Sequence, residues 1–325
     1  MQKRMLRRDA VVAFALMLAA TWVSPLQAQP WPQRPVRLIV PIGAGSSTDI
    51  TARMYADRLA ERWKQAVIVE NRPGADGLIG TGAFVTAHDD HTLLFSFAAP
   101  VSVHPYLHAK LSYDPRRDLV PLSLAADTFG AVTAHTSLEI GSLKQMVSVA
   151  RAQPGKFNYF GQGAFPYLLA AFAKSQKLDL VQVTYREYNL GIQDHAQGRT
   201  HFVITTLTSA LPVVQAGHAK FLAVTNSRRS PMFPDVPTAT EQGYPELAFE
   251  GLMGFFGPRG MSVELMDRIS RDIRAVAAEP ALADRFAVLG QIAHGSTPAE
   301  FAALVEAQRA KFAGIVQEIG IQASR

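Results

Sequence analysis

Short runs of Val, Ile and Leu alternate along this chain with longer segments in which apolar residues recur every three or four positions. Strands are predicted at residues 36–40 (VRLIV), 66–70 (AVIVE) and 92–96 (TLLFS), with helices at 49–63 and 78–86 between them. In the first helix Ala52, Ala56, Leu59 and Trp63 form one buried stripe, while Arg53, Asp57, Arg58, Glu61 and Arg62 make the opposite face polar. Strand and helix alternating in this way predict an α/β fold with mostly parallel sheets.

The pattern restarts after residue 128. Strands are predicted at 130–135, 157–160, 180–185, 201–205 and 221–225, and helices at 143–151, 167–175 and 191–196. A loop rich in Pro and Ser at 227–238 then leads to FEGLMGFFGP at 249–258, which reads as a strand returning to the first block. Three helices finish the chain, the last opening with Thr297, Pro298 and Glu300, a capping box with Pro at the first helical position. Two lobes are expected, residues 29–128 with 252–325 as lobe 1 and 129–251 as lobe 2.

Composition adds a compartment. Lys3, Arg4, Arg7 and Arg8 precede an uncharged apolar run of 14 residues from position 10 to 23, followed by Pro25 and Ala28, the layout of a signal peptide over residues 1–28 cleaved after about Ala28. The run is shorter than the roughly 20 residues a helix needs to span a bilayer. The Arg7–Arg8 pair also suits a twin-arginine route, but Asp9 and Ala10 do not strengthen it. The leader holds four of the 32 Lys and Arg and one of the 27 Asp and Glu, leaving 28 against 26, too even for a nucleic-acid binder. With no cysteine, disulfides, thiolate metal sites and cysteine nucleophiles are excluded. A periplasmic location follows from the leader.

Two loops repeat one design. PIGAGSSTD at 41–49 and FGQGAFP at 160–166 each leave a strand and enter a helix. Glycine lets backbone N–H groups approach a ligand closely, and the helix start behind it presents unpaired donors and a positive dipole end, so each loop is a candidate anion site. No Lys follows Gly45 or Gly163, and Thr48 stands where G-x-G-x-x-G needs its last glycine, which argues against a nucleotide. The bland alternative is an ordinary strand-to-helix turn with Ser47 or Thr48 as the N-cap.

The chain resembles the Bug family, periplasmic solute receptors of tripartite tricarboxylate transporters. The resemblance rests on WPQRPVRLIVPIGAGSSTDITAR (31–53), VIVENRPGADGLIG (67–80), LSYDPRRDLVPLSL (111–124), PGKFNYFGQG (154–163), the long segment at 208–245 with RSPMFPDVPT, and STPAEFAALV (296–305). It implies a two-lobed periplasmic binding protein of the type II clamshell class, each lobe a sheet flanked by helices, closing on a small carboxylate. Carried over by position, it assigns ligand contacts to Ile42, Gly43, Ala44 and Gly45 and to Ser46, Ser47, Thr48 and Asp49 in the first loop. The second loop contributes Phe160, Gly161, Gln162, Gly163, Ala164 and Phe165; a third region, Phe97 and Ala98 on to Pro100, follows one strand, and a fourth, Thr205 and Thr206 on to Thr208, follows another.

Departures from the family pattern bear on the solute. Ile42 to Ser46 replace an aromatic-Pro-Pro-Gly-Gly turn, Tyr185, Arg186 and Glu187 replace Tyr-Lys-Gly, and Thr205 stands where an Asp is frequent. A neutral Thr205 removes a partner for an amino group, while Phe97, Phe160 and Phe165 add apolar surface unless they belong to the core. A solute with a carboxylate at one end and an apolar or aromatic body is therefore expected, rather than citrate or an amino acid. His88, Asp89, Asp90 and His91 occupy a turn and are read as solvated, not as a metal site. Pro105 argues against a continuous helix carrying His104 and His108.

No G-x-S-x-G, H-E-x-x-H or supported S-x-x-K is present, and Ser46 or Ser47 with Asp49 lacks a local His for nucleophilic catalysis. The expectation is a receptor rather than an enzyme, monomeric, without cofactor or metal, delivering its carboxylate to membrane transporter subunits. A receptor signalling to a sensor kinase and a periplasmic hydrolase are the alternatives.

Overall fold

The computed structural model describes residues 31–185, 188–321 and 323. The leader expected over residues 1–28 lies outside them, as do Arg186 and Glu187. Contacts divide the chain after Gln33, and both sheets, their helices and the cavity belong to the part that starts at Arg34. No helix among the described residues is long and apolar enough to cross a membrane.

The first sheet takes β1 (Val36–Val40), β2 (Val67–Asn71), β3 (Thr92–Phe97), β4 (Leu119–Thr128), β10 (Gly251–Pro258) and β11 (Gln291–Ala293), in the order β11-β4-β10-β3-β1-β2. The second takes β5 (Gly130–His135), β6 (Asn158–Gly161), β7 (Val181–Gln182), β8 (Phe202–Thr206) and β9 (Ala219–Val224), in the order β7-β6-β8-β5-β9. Both sheets are mixed rather than mostly parallel. β1 runs parallel to β2 and β3, whereas β10 is antiparallel to β3 and β4, and β11 is antiparallel to β4. In the second sheet β6 is parallel to β7 and β8, and β5 is antiparallel to β8 and β9. Strand-to-helix alternation signals only the parallel part, because an antiparallel neighbour needs no crossover helix between it and its partner.

Ten helices flank the sheets among the described residues. They are α1 (Ser47–Trp63), α2 (Leu78–Ala87), α3 (His104–Leu107), α4 (Leu143–Ala152), α5 (Phe165–Ser175), α6 (Tyr188–Ala196), α7 (Leu207–Gln215), α8 (Val263–Ala277), α9 (Pro280–Val288) and α10 (Pro298–Ile319). β1 is buried along most of its length, as its unbroken apolar run requires between two neighbours. Tyr55 of α1 sits at the centre of one core, its ring edge-on to Phe255 and Phe286 at centroid distances of 5.4 and 5.8 Å, and its hydroxyl donates to Ala125 O at 2.7 Å. The other core gathers Phe157, Phe172 and Phe202 under the second sheet.

Two crossings join the sheets. β4 passes into β5 with Phe129 alone between them, and the return runs through Phe249 and Glu250 into β10. Asn226 ties the crossings together: its Oδ1 accepts from Gly130 N at 3.1 Å, and its Nδ2 donates to Thr128 O at 3.0 Å and to Glu250 Oε2 at 2.8 Å. At Gly251 a Cβ would run into the Thr128 hydroxyl and lie 2.5 Å from Thr128 O, so only glycine permits so close a crossing. α10 serves both cores. It opens with the capping box of Thr297 and Glu300; Phe301 and Val305 pack with Ile39, Leu94 and Phe256 of the first sheet, and Phe312 and Ile315 pack in the core of the second.

The charged loops are locally paired: Arg116 with Glu306, Arg117 with Asp118, Arg228 with Asp127 and Arg229 with Glu241. The ligand-type atoms of Asp89, Asp90 and His91 fall within 4.8 Å of one another, but Asp89 is engaged by Arg34, the His91 N–H and the Thr92 hydroxyl. His104 begins a one-turn helix with Pro105 in its first turn, and His108 beyond it is extended.

Candidate functional site

After β1 the chain turns through Pro41 to Gly45, with Gly45 at φ +79°, and enters α1. The N-cap is Ser46, one residue before the pair expected from sequence; its hydroxyl accepts from Asp49 N at 3.2 Å. The N–H groups of Ser47 and Thr48, in the first helical turn, have no intrahelical acceptor and are available to an anion. Asp49 turns inward. Its carboxylate accepts from Gly45 N at 2.8 Å, from Asn71 Nδ2 at 2.8 Å and from Arg53 Nε at 3.1 Å. Burial works against that charge, but Arg53, the Gly45 N–H and Asn71 outweigh it and hold the carboxyl below the usual Asp range. Asp49 thus closes the loop on itself.

The second loop repeats the plan from the other sheet. β6 ends at Gly161, where a Cβ would lie 2.7 Å from Ile204 O, and the chain passes through Gln162, Gly163 at φ +62° and Ala164 into α5. Phe165 N donates to Gln162 O at 3.2 Å, and Pro166 at the next position has no N–H to offer. β8 runs into α7 through Thr206, whose hydroxyl accepts from Ser209 N at 3.3 Å. α6 is described from Tyr188 onward, and a helical turn begins at Ala99 after β3.

These five helix starts surround one cavity of about 570 Å³. From the first loop it is lined by Ile42, Gly43, Ala44, Gly45, Ser46, Ser47 and Thr48, from the second by Gln162, Gly163, Ala164 and Phe165, and from the other two regions by Phe97, Ala98, Thr205 and Thr206. Three residues expected there do not line it. Asp49 is occupied inside its loop, Gly161 lies at the strand end, and Phe160 is buried behind the wall, its ring 5.0 Å from Tyr185 and 5.5 Å from Tyr188. Phe97 and Phe165 are therefore wall residues, and Phe160 supports the wall.

Ala99 and Thr208, from the same two expected regions, line it as well. The remaining lining residues carry no local signature: Ile50, Asp76, Thr128, Tyr188, Asn189, Ser209, Phe249, Gly251, Leu252, Met253 and Leu289 come from crossings, turns and helix ends scattered over the chain. Tyr188 changes the picture at Thr205: the two hydroxyls pair at 2.6 Å, and burial pushes the Tyr188 phenol up to about 12, so it is neutral near pH 7. The cavity is consequently walled by aliphatic and aromatic side chains, rimmed by main-chain N–H groups and hydroxyls, and lined by no Lys, Arg or His among the described residues. Such a surface can hold an anionic group on neutral donors and an uncharged body against its walls.

Comparison with known proteins identifies the family. Residues 51–321 match the family described as tripartite tricarboxylate transporter family receptor, TctC. BugT of Bordetella pertussis is 30% identical, with the match covering 97% of this chain and 98% of BugT. A UPF0065 protein of Bordetella bronchiseptica is 31% identical over 95% of this chain and 92% of its own length. Among solved structures, the R. palustris protein Rpa4515 with adipate superimposes with a TM-score of 0.82 at 25% identity, covering 91% of this chain and all of that one. The extent of these matches and the shared two-lobed architecture place the chain in the TctC family, the solute-binding receptors of tripartite tricarboxylate transporters.

Proposed function

We propose that the cavity captures a small carboxylate with an apolar body, and that the lobes, divided at 128/129 and 251/252, close over it to present the loaded form to transporter subunits in the membrane. The carboxylate lies on the N–H groups at the start of α1 and in the Gln162–Ala164 turn before α5, and on hydroxyls of Ser46 and Ser209; the body lies along Ile42, Phe97, Phe165 and Leu252. The observation that carries this reading is the convergence of helix starts on a cavity with apolar walls and, among the described residues, no basic side chain. It is supported by the similar R. palustris protein, whose structure holds adipate, a linear acid with an apolar middle. Closure is favoured because contacts from both lobes exist together only in the closed state. On this reading the protein works as a monomer in the periplasm after loss of its leader, and returns its solute unchanged.

Titration calorimetry and thermal unfolding on the chain lacking residues 1–28 test this directly. Aliphatic or aromatic acids should raise the unfolding temperature and be recovered intact. Tight binding of citrate or aspartate, with silence from such acids, would overturn the ligand class; a released product would overturn the receptor role.

A further inference from the structure

Among the described residues that line the cavity, Asp76 alone carries an acidic or basic side chain. It stands in the turn before α2 with φ 49° and ψ 39°, a left-handed conformation. Gly77 follows at φ +93°, and a Cβ there would lie 2.7 Å from Pro100 Cγ and 3.3 Å from Phe97 Cζ. The turn is therefore pressed against the Phe97 wall, which fixes where Asp76 meets the cavity. His104 fixes its direction. The His104 side chain is 3% exposed, and its Nε2 pairs with Asp76 Oδ2 at 3.1 Å. That bond uses one carboxylate oxygen, and 37% of the Asp76 side chain stays exposed.

A carboxylate so placed is selective toward whatever lies opposite. An apolar tail would strip its water and return nothing. A second carboxylate would add like-charge repulsion in a partly enclosed space. An N–H donor with positive charge would make a charge-assisted hydrogen bond and restore neutrality. Resting on the carboxylate reading above, we infer that Asp76 is a specificity-determining residue that supplies, away from Thr205, the partner for a cation that Thr205 does not, so that the preferred solute is not an α-amino acid but an acid whose apolar body ends in a protonated nitrogen, with dicarboxylates disfavoured.

Three straight six-carbon probes differ only at the far end: caproate, adipate and ε-aminocaproate. Calorimetric Kd values for each would be measured on the chain lacking residues 1–28 and on Asp76→Asn, a substitution that keeps the shape and tolerates left-handed backbone. The wild type should bind ε-aminocaproate at least about ten-fold more tightly than adipate, and Asp76→Asn should erase or reverse that ratio. Caproate binding and an intact thermal transition would report that the variant is folded. A wild-type preference for adipate, or a ratio that shifts by less than about three-fold in the variant, would overturn the inference while leaving the carboxylate reading standing. If no probe binds the wild type, the carboxylate reading falls and takes this one with it.

Discussion

Asp49 and His195 are both buried ionisable residues, and the fold treats them in opposite ways. Asp49 keeps its charge because Arg53, Asn71 and the Gly45 N–H surround it. His195 on α6 stays neutral: its Nδ1 lies 2.8 Å from Thr200 O and its Nε2 3.0 Å from the Thr133 hydroxyl. Burial lowers its pKa to about 4, with His135 and His201 adding to the effect. An unfolded chain takes up that proton near the ordinary 6.5, so its stabilising effect is complete above that pH and is lost as pH falls toward 4. The gap corresponds to about 3 kcal/mol. Urea denaturation near neutrality and near pH 4 should show an acid-side loss in the wild type that His195→Gln reduces by about that amount; equal losses would contradict it. The sequence places Asp49 in the right loop, with Arg53 four residues on along the same helix, but not its inward turn, since the partner Asn71 is assigned only when β2 packs beside α1.

At the level of elements, legibility follows locality. β1 falls where the apolar run lies, and α10 begins where its capping box is written. By contrast, α7 holds Pro212 within its span, and β4 holds Pro121, Ser123 and Asp127, so neither displays a clean period. The segment expected to be a strand at 180–185 pairs only at Val181 and Gln182, both exposed at the sheet edge. The crossings show the cost of close approach. Gly251→Ala should destabilise the protein by about 1–3 kcal/mol, because Thr128 is already in contact on both its hydroxyl and its carbonyl side. Gly43→Ala meets nothing within 4 Å and should change stability by less than about 0.5 kcal/mol. Chemical denaturation of the pair separates crowding from a general intolerance of the fold.

For the whole molecule, the two lobes contribute unequal signals. The two loops proposed to hold the anion are legible as glycine patterns, yet the walls at Thr128, Phe249, Leu252 and Met253 form only where the chain crosses between the sheets. A cavity rimmed by neutral donors also sets an ionic response. Since no Lys, Arg or His lines it among the described residues, the Kd of caproate should move by less than about three-fold between about 0.05 and about 0.5 M NaCl, because exposed counter-charges are what salt screens. A steep dependence, followed by calorimetry, would point to a basic contact formed on closure. There is a consequence for how such a protein changes allegiance. Main-chain N–H groups persist whatever side chain is attached to them, so on the proposed reading mutation leaves the grip on the acid group in place. A new diet can then be acquired by exchanging a few wall residues, such as Phe97, Phe165 or Asp76, without rebuilding the hand that holds the food.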